Sequence, residues 1–145
     1  MKGDLNKLYS PIIKSHNEAP FHFEKRTSAA FTLKAYNSIC GDRFELYLNQ
    51  KDGKLEPVYF HGFGCAISKA STSVMAKIIT GKSISDSIGI CHNFLQFIDG
   101  KRPVQFALFE EFLAFEGVHD FPERYDCATL AWRELEKFLT HLELK

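Results

Sequence analysis

Several things that would give the chain an obvious role are scarce or missing. There is no formal net charge, since 18 Lys+Arg balance 18 Asp+Glu in 145 residues. Without a net field nothing draws the chain to phosphate backbones, so general nucleic-acid binding is not expected. No stretch approaches the about 18 uninterrupted apolar residues that a spanning helix needs. Met1-Lys2-Gly3-Asp4-Leu5-Asn6-Lys7 has no apolar run of the kind an export signal carries. The expectation is a cytoplasmic protein without membrane association. No repeat, low-complexity tract or linker interrupts the chain, which fits one domain over residues 1–145. Four cysteines in such a compartment are free thiols or metal ligands sooner than a disulfide framework. A single Trp stands against 14 Phe, so the core is bulky and largely phenylalanine.

Leu5, Leu8, Tyr9, Ile12 and Ile13 follow the stripe of an amphipathic helix that Asp4 could cap. Pro11 either kinks it or restarts it with Ser10 as cap. Residues 17–26 have no clean period and read as a loop. Phe31, Leu33 and Ala35, then Phe44, Leu46 and Leu48, alternate with polar neighbours. Asn37 to Asp42 is turn-rich, with Gly41 able to take a positive φ, and residues 49–53 read as a second hairpin turn. A third strand over 56–61 with Val58 and Phe60 on one face completes an antiparallel meander. Beyond Gly64 the period is helical: 65–80 stopped by Gly81, then a helix capped by Ser83 or Ser85. A Phe-heavy helical stretch covers 104–115, and a last helix runs from near Cys127 to about Leu142. The fold class is therefore α+β: an N-terminal helix, then a three-stranded antiparallel sheet covered by a C-terminal helical layer.

Cys91 falls in register with Ile84, Ile88 and Leu95 and reads as core. The other three cysteines differ. Cys40 lies in a turn, whereas Cys65 and Cys127 open helices, where unpaired N–H groups and the helix dipole favour thiolate. Thiolates brought together repel, and a divalent metal is the usual resolution. The intervals between them match no zinc-finger arrangement. Asp42, two residues after Cys40, points to the same side in extended chain and could supply an oxygen ligand. Alternatively it is a turn residue bonding its own backbone. His61 reads as a strand residue or a support for the site, and His92 and His141 as solvent-facing. Ser68 and Ser71 pack helices, since no His/Asp partner is placed to make either a nucleophile.

Asn37-Ser38-Ile39-Cys40-Gly41-Asp42-Arg43, Phe60-His61-Gly62-Phe63-Gly64-Cys65-Ala66-Ile67-Ser68, and Arg124-Tyr125-Asp126-Cys127-Ala128-Thr129-Leu130-Ala131-Trp132 carry a resemblance. In order and local motif they resemble the U-type iron–sulfur assembly proteins, the IscU/SufU/NifU-N group, and within it the SufU-like branch. That branch has an insertion between the second and third cysteines, for which the interval from Cys65 to Cys127 has room. The resemblance implies a SufE/IscU-like fold and a site of Cys40, Asp42, Cys65 and Cys127. These positions hold zinc in SufU-like proteins and a nascent [2Fe–2S] cluster in the scaffold branch. Arg124 matches a basic position near the site. Two positions depart from the pattern. Asp126 stands where scaffold relatives have His and SufU relatives often Lys, and either caps the last helix or serves as another hard ligand. Ser38 replaces the proline of the common Asn-Pro pair.

The leading functional expectation is a zinc-bound sulfur acceptor. Cys40 would take persulfide sulfur from a SufS-like cysteine desulfurase and pass it to downstream cluster-assembly proteins. Cys40, on a turn, is the movable ligand, and Cys65 and Cys127 are the fixed ones. The alternative keeps the site and changes its contents to a labile [2Fe–2S] cluster built and handed on. A structural zinc domain would unfold on chelation, which a large Phe core argues against.

Overall fold

In the computed structural model, which describes residues 8–39, 41–101 and 108–144, the N-terminal alternatives at Pro11 resolve in favour of a restart. Helix α1 spans Pro11–Glu18 with Pro11 in its first turn, and the Ser10 hydroxyl accepts from Ile13 N–H at 3.4 Å. Asp4 and Leu5 lie outside the described residues.

Strands β1 (Phe31–Asn37) and β2 (Asp42–Leu48) pair antiparallel in the register Phe31↔Leu48 to Asn37↔Asp42. Strand β5 (Tyr59–Phe63) lies on the other side of β2, with Arg43 opposite Phe63 and Tyr47 opposite Tyr59. Between them the chain departs from a simple turn. Residues Gln50–Lys51 (β3) and Lys54–Leu55 (β4) form a small second ribbon whose tip, Asp52 and Gly53, has positive φ at both positions. That is the geometry of a two-residue hairpin turn. The third main strand consequently starts at Tyr59 and not at residue 56. Leu55 N–H donates to the Lys82 carbonyl at 2.8 Å and Val58 N–H to Thr80 Oγ1 at 3.0 Å. These donors bind the stretch to the end of a helix, where they cannot join the ladder. The loop after α1 also does more than connect. Phe23 bridges Phe60 in parallel fashion, and the Phe60 carbonyl accepts from Glu24 N–H, covering part of the outer edge of β5.

Helix α2 (Ala66–Ile79) is buried along most of its length, and α3 (Ile84–Ile98) starts from Ser83, whose hydroxyl accepts from Asp86 N–H. Cys91 is fully buried on α3, and burial pushes its thiol pKa up. The Phe-heavy segment is a correction. Residues 102–107 lie outside the described residues, and from 108 to 124 there is no continuous helix. Phe109 is extended, α4 is the single turn Glu110–Leu113, and 3₁₀ turns follow at Glu116–Asp120 and Pro122–Arg124. A recurrence of three suits tight turns better than a 3.6-residue helix, whose face such a series would leave. What the phenylalanines share is a target. Phe112 meets the Trp132 ring edge-on at 5.7 Å, and Phe94 stacks on the same indole at 4.1 Å while Phe115 meets Phe94. Trp132 lies on α5 (Tyr125–Glu143), which packs against α2, α3 and β1. Its Nε1–H donates to Ser71 Oγ, which in turn donates to the Ala128 carbonyl, so the one buried indole is satisfied.

The inner sheet face, with Ala35, Phe44, Leu46, Leu48 and Phe60, belongs to the same buried core. The fold is thus α+β, as its alternating strand pattern followed by helical periods implied. Phe94→Ala removes the ring that joins Trp132, Phe112 and Phe115. It should cost about 3–5 kcal/mol, read as a lower urea midpoint with unchanged m-value.

Candidate metal centre

Three distant pieces of backbone end at one point. Asp42 is the first residue of β2 and has no exposed surface. Cys65 follows β5 and is the N-cap of α2, with its sulfur accepting from Ser68 N–H at 3.4 Å. Cys127 is buried in the first turn of α5. One ligand atom from each of Asp42, Cys65 and Cys127 lies within 4.8 Å of the others. Cys40 lies outside the described residues. Its neighbours Asn37 and Gly41 close a turn, Gly41 N–H donating to the Asn37 carbonyl at 2.8 Å with Gly41 at φ +76°.

The two thiols interact directly. Cys65 has its pKa lowered to about 6, chiefly by a hydrogen bond with Cys127. Burial opposes the shift, the Ser68 N–H supports it, and the Asp42 charge opposes it. Partial burial works against the charge on Arg124, yet its pKa is raised by Tyr9, by a hydrogen bond to Cys127 and by the charge of Cys65. Arg124 therefore stands beside the thiols as a counter-charge.

Asp42 is divided between two tasks. Its Oδ1 accepts from the Cys65 N–H at 3.0 Å, while Oδ2, equally enclosed, has no hydrogen-bond partner among the described residues. A buried carboxylate oxygen without a donor is costly, and a cation beside it removes that cost. Two sulfurs and a carboxylate oxygen within 4.8 Å of one another are also the donor mixture that suits zinc or iron. The Asp/Cys/Cys group could hold a metal ion.

Other expected positions are distributed more widely. Asp126 does not cap the last helix, because the cap position falls on Arg124, and Asp126 lies one residue inside α5. There its carboxylate favours the positive helix end and reaches Arg133 at 3.4 Å. It also borders a cavity of about 590 Å³ with Asp99, His119 and Tyr125, outside the Asp/Cys/Cys group. His61 is exposed on β5 and packs on the Phe23 ring. His92 pairs with Glu136 on the surface. Ser71 is a packing residue, whereas Ser68 has a second role that packing did not suggest, since its amide feeds the Cys65 sulfur. The spacing Cys-x-x-Ser, with a cysteine in the place of a capping Ser or Asp, is the local signal for it.

An α+β fold with sulfur and carboxylate donors gathered where β2, α2 and α5 begin defines a protein built around a cation- or cluster-binding end. The family model for the NifU-like N-terminal domain matches residues 8–128, and the chain belongs to that family, the IscU/SufU group. It is 35% identical over 135 residues to the iron-sulfur cluster assembly scaffold protein IscU of Streptococcus pyogenes, covering 92% of this chain and 83% of that protein. To the zinc-dependent sulfurtransferase SufU of Bacillus subtilis it is 33% identical, covering 93% and 91%. A crystal structure of a putative iron-sulfur cluster assembly scaffold protein for the SUF system, from Fervidobacterium islandicum, superposes with a TM-score of 0.83. Its identity is 31%, covering 92% of this chain and 97% of that one. Among the described residues no helix is long and apolar enough to cross a membrane.

Alkylation should separate the thiols. In chelator-treated protein at pH 7, iodoacetamide is expected to modify Cys65 and leave Cys91 untouched until denaturant is added, as read by peptide mass spectrometry.

Proposed function

We propose that this protein works in iron–sulfur cluster assembly as a sulfur acceptor: Cys40 takes sulfane sulfur from a cysteine desulfurase and delivers it to later assembly proteins. The observation that carries this reading is the convergence of Asp42, Cys65 and Cys127, with one Asp42 oxygen buried and unsatisfied. It is also supported by the 33% identity to a relative named a zinc-dependent sulfurtransferase.

In the transfer, the Cys40 thiolate attacks the outer sulfur of the donor's persulfide. A new S–S bond forms on Cys40, the donor's S–S bond breaks, and its electron pair leaves on the donor cysteine as thiolate. One persulfide replaces another, so no external oxidant or reductant enters. Cys40, Asp42, Cys65 and Cys127 would hold the metal. When bound, zinc supplies a positive charge that keeps thiols deprotonated and resistant to oxidation at neutral pH. The protein's own groups set the rest. Cys65 and Cys127, fixed at helix starts, form a rigid pair, and Arg124 offsets the negative charge they accumulate. Cys40 falls between Asn37 and Gly41, whose carbonyl and N–H close a turn. Exposed Ile39 and Phe63, on the two segments that lead into Cys40 and Cys65, supply apolar surface for a docking partner.

A second reading, with a [2Fe–2S] cluster as cargo, is favoured by the mixed donors. A carboxylate is a poorer cluster ligand than thiolate, which suits a cluster meant to leave. Protein purified without chelator should be colourless with one zinc per chain. Brown protein with charge-transfer absorbance would favour the cargo reading instead. Cys40→Ala should abolish sulfane sulfur on the protein after incubation with desulfurase and cysteine, while circular dichroism is unchanged. Persistence of the persulfide mass on that variant would overturn the assignment. Chelation should leave the helical signal intact, because the ring contacts among Phe94, Phe112 and Trp132 involve no donor residue.

A further inference from the structure

Gly64 separates β5 from Cys65, and its role is not conformational. It lies outside the positive-φ glycines of the chain, so its backbone is open to any residue. Gly62, two positions earlier, is the contrast: at φ +140° its missing side chain makes room for the Arg43 carbonyl of the paired strand. At Gly64 the missing side chain makes room for the site. A β-carbon there would lie 2.6 Å from Asp42 Oδ1, 2.6 Å from Ser68 Oγ and 2.7 Å from Phe44 Cε2. All three contacts are far too close, and something would have to move. The Phe44 ring is fully buried against Phe60, and Ser68 Oγ, also buried, donates to the Cys65 carbonyl. The Asp42 carboxylate is the member of the three that can turn, and turning takes Oδ1 off the Cys65 N–H.

We propose that Gly64 is a positioning residue for the metal centre: its bare α-carbon lets the Cys65 amide hold Asp42 Oδ1, which fixes the carboxylate beside the Cys65 and Cys127 thiols. This rests on the metal-site reading above. The clasp joins two donors through one hydrogen bond, so the carboxylate on β2 and the sulfur at the start of α2 are set in register with each other. Only Gly64 allows that approach. Any side chain would trade the clasp for a methyl contact and swing the oxygen away.

The test is zinc affinity, measured by competition with a chromophoric chelator, for wild type, Gly64→Ala, Asp42→Ala and the double variant. Gly64→Ala should weaken binding by about 10- to 100-fold, the usual effect of losing a group that orients a ligand. The double variant should bind no more weakly than Asp42→Ala alone, because Gly64 acts through that carboxylate. Wild-type affinity in Gly64→Ala, or losses that multiply in the double variant, would overturn the role. Should Gly64→Ala not fold, placing it on Ser68→Ala and Phe44→Leu removes two of the three contacts. The comparison then runs against that background with the same criteria. If the wild-type chain binds no zinc, the metal reading fails and amide exchange in the metal-free protein decides the clasp. The Cys65 amide should be protected in wild type and exchange faster in both Asp42→Ala and Gly64→Ala. An unchanged rate in Gly64→Ala overturns the positioning role on its own.

Discussion

A carboxylate taken wholly out of water, with one oxygen hydrogen-bonded and the other bare, is the constraint around which the rest of the centre is arranged. Asp42 has no exposed surface, and the Cys65 amide accounts for Oδ1 alone. Oδ2 is left without a donor, and the carboxylate lies in the same small volume as two sulfurs. Left to itself such an oxygen would lack a hydrogen-bond donor, which is costly for a buried polar atom. Placed among thiols, it completes a set of donors whose mutual repulsion a cation relieves. The site is therefore held together as much by what it lacks as by the contacts it makes.

The scaffold serves this arrangement with unusually stiff material. Asp42 begins a strand that is paired on both sides, and Cys65 and Cys127 belong to the first turns of helices locked into the core. Trp132, one turn and a half beyond Cys127, is wedged by Phe94 and Phe112 and tied to α2 through Ser71. Displacing either helix start would disturb that packing.

Much of this could be read in advance where the local signal is strong. Alternation placed β1 and β2, Ser10 and Ser83 were each one of two alternatives for their helix starts, and Cys91 was legible as core because its neighbours at helical spacing are Ile and Leu. The misread parts are those where a distant partner decides. Residues 54–58 left the meander because Lys82 and Thr80 capture their amides. The phenylalanines at 109, 112 and 115 belong to one aromatic cluster, in which Phe112 meets the Trp132 indole, Phe109 meets Phe112 and Phe115 meets Phe94. Asp126 looked like a cap because it precedes a cysteine, yet the 3₁₀ turn at Pro122–Arg124 starts α5 earlier and leaves it facing Arg133.

By its residues alone the chain determined its class, its family likeness and which side chains have the chemistry for a metal, since thiols and carboxylates keep their character in any fold. Tertiary structure decided how those groups meet. The sharing of Asp42 between an amide and an open oxygen, the Cys65–Cys127 contact and the space at Gly64 depend on three segments far apart in the chain arriving within ångströms of each other. Sequence pattern records which face of an element is buried, not which atom on another element it is buried against.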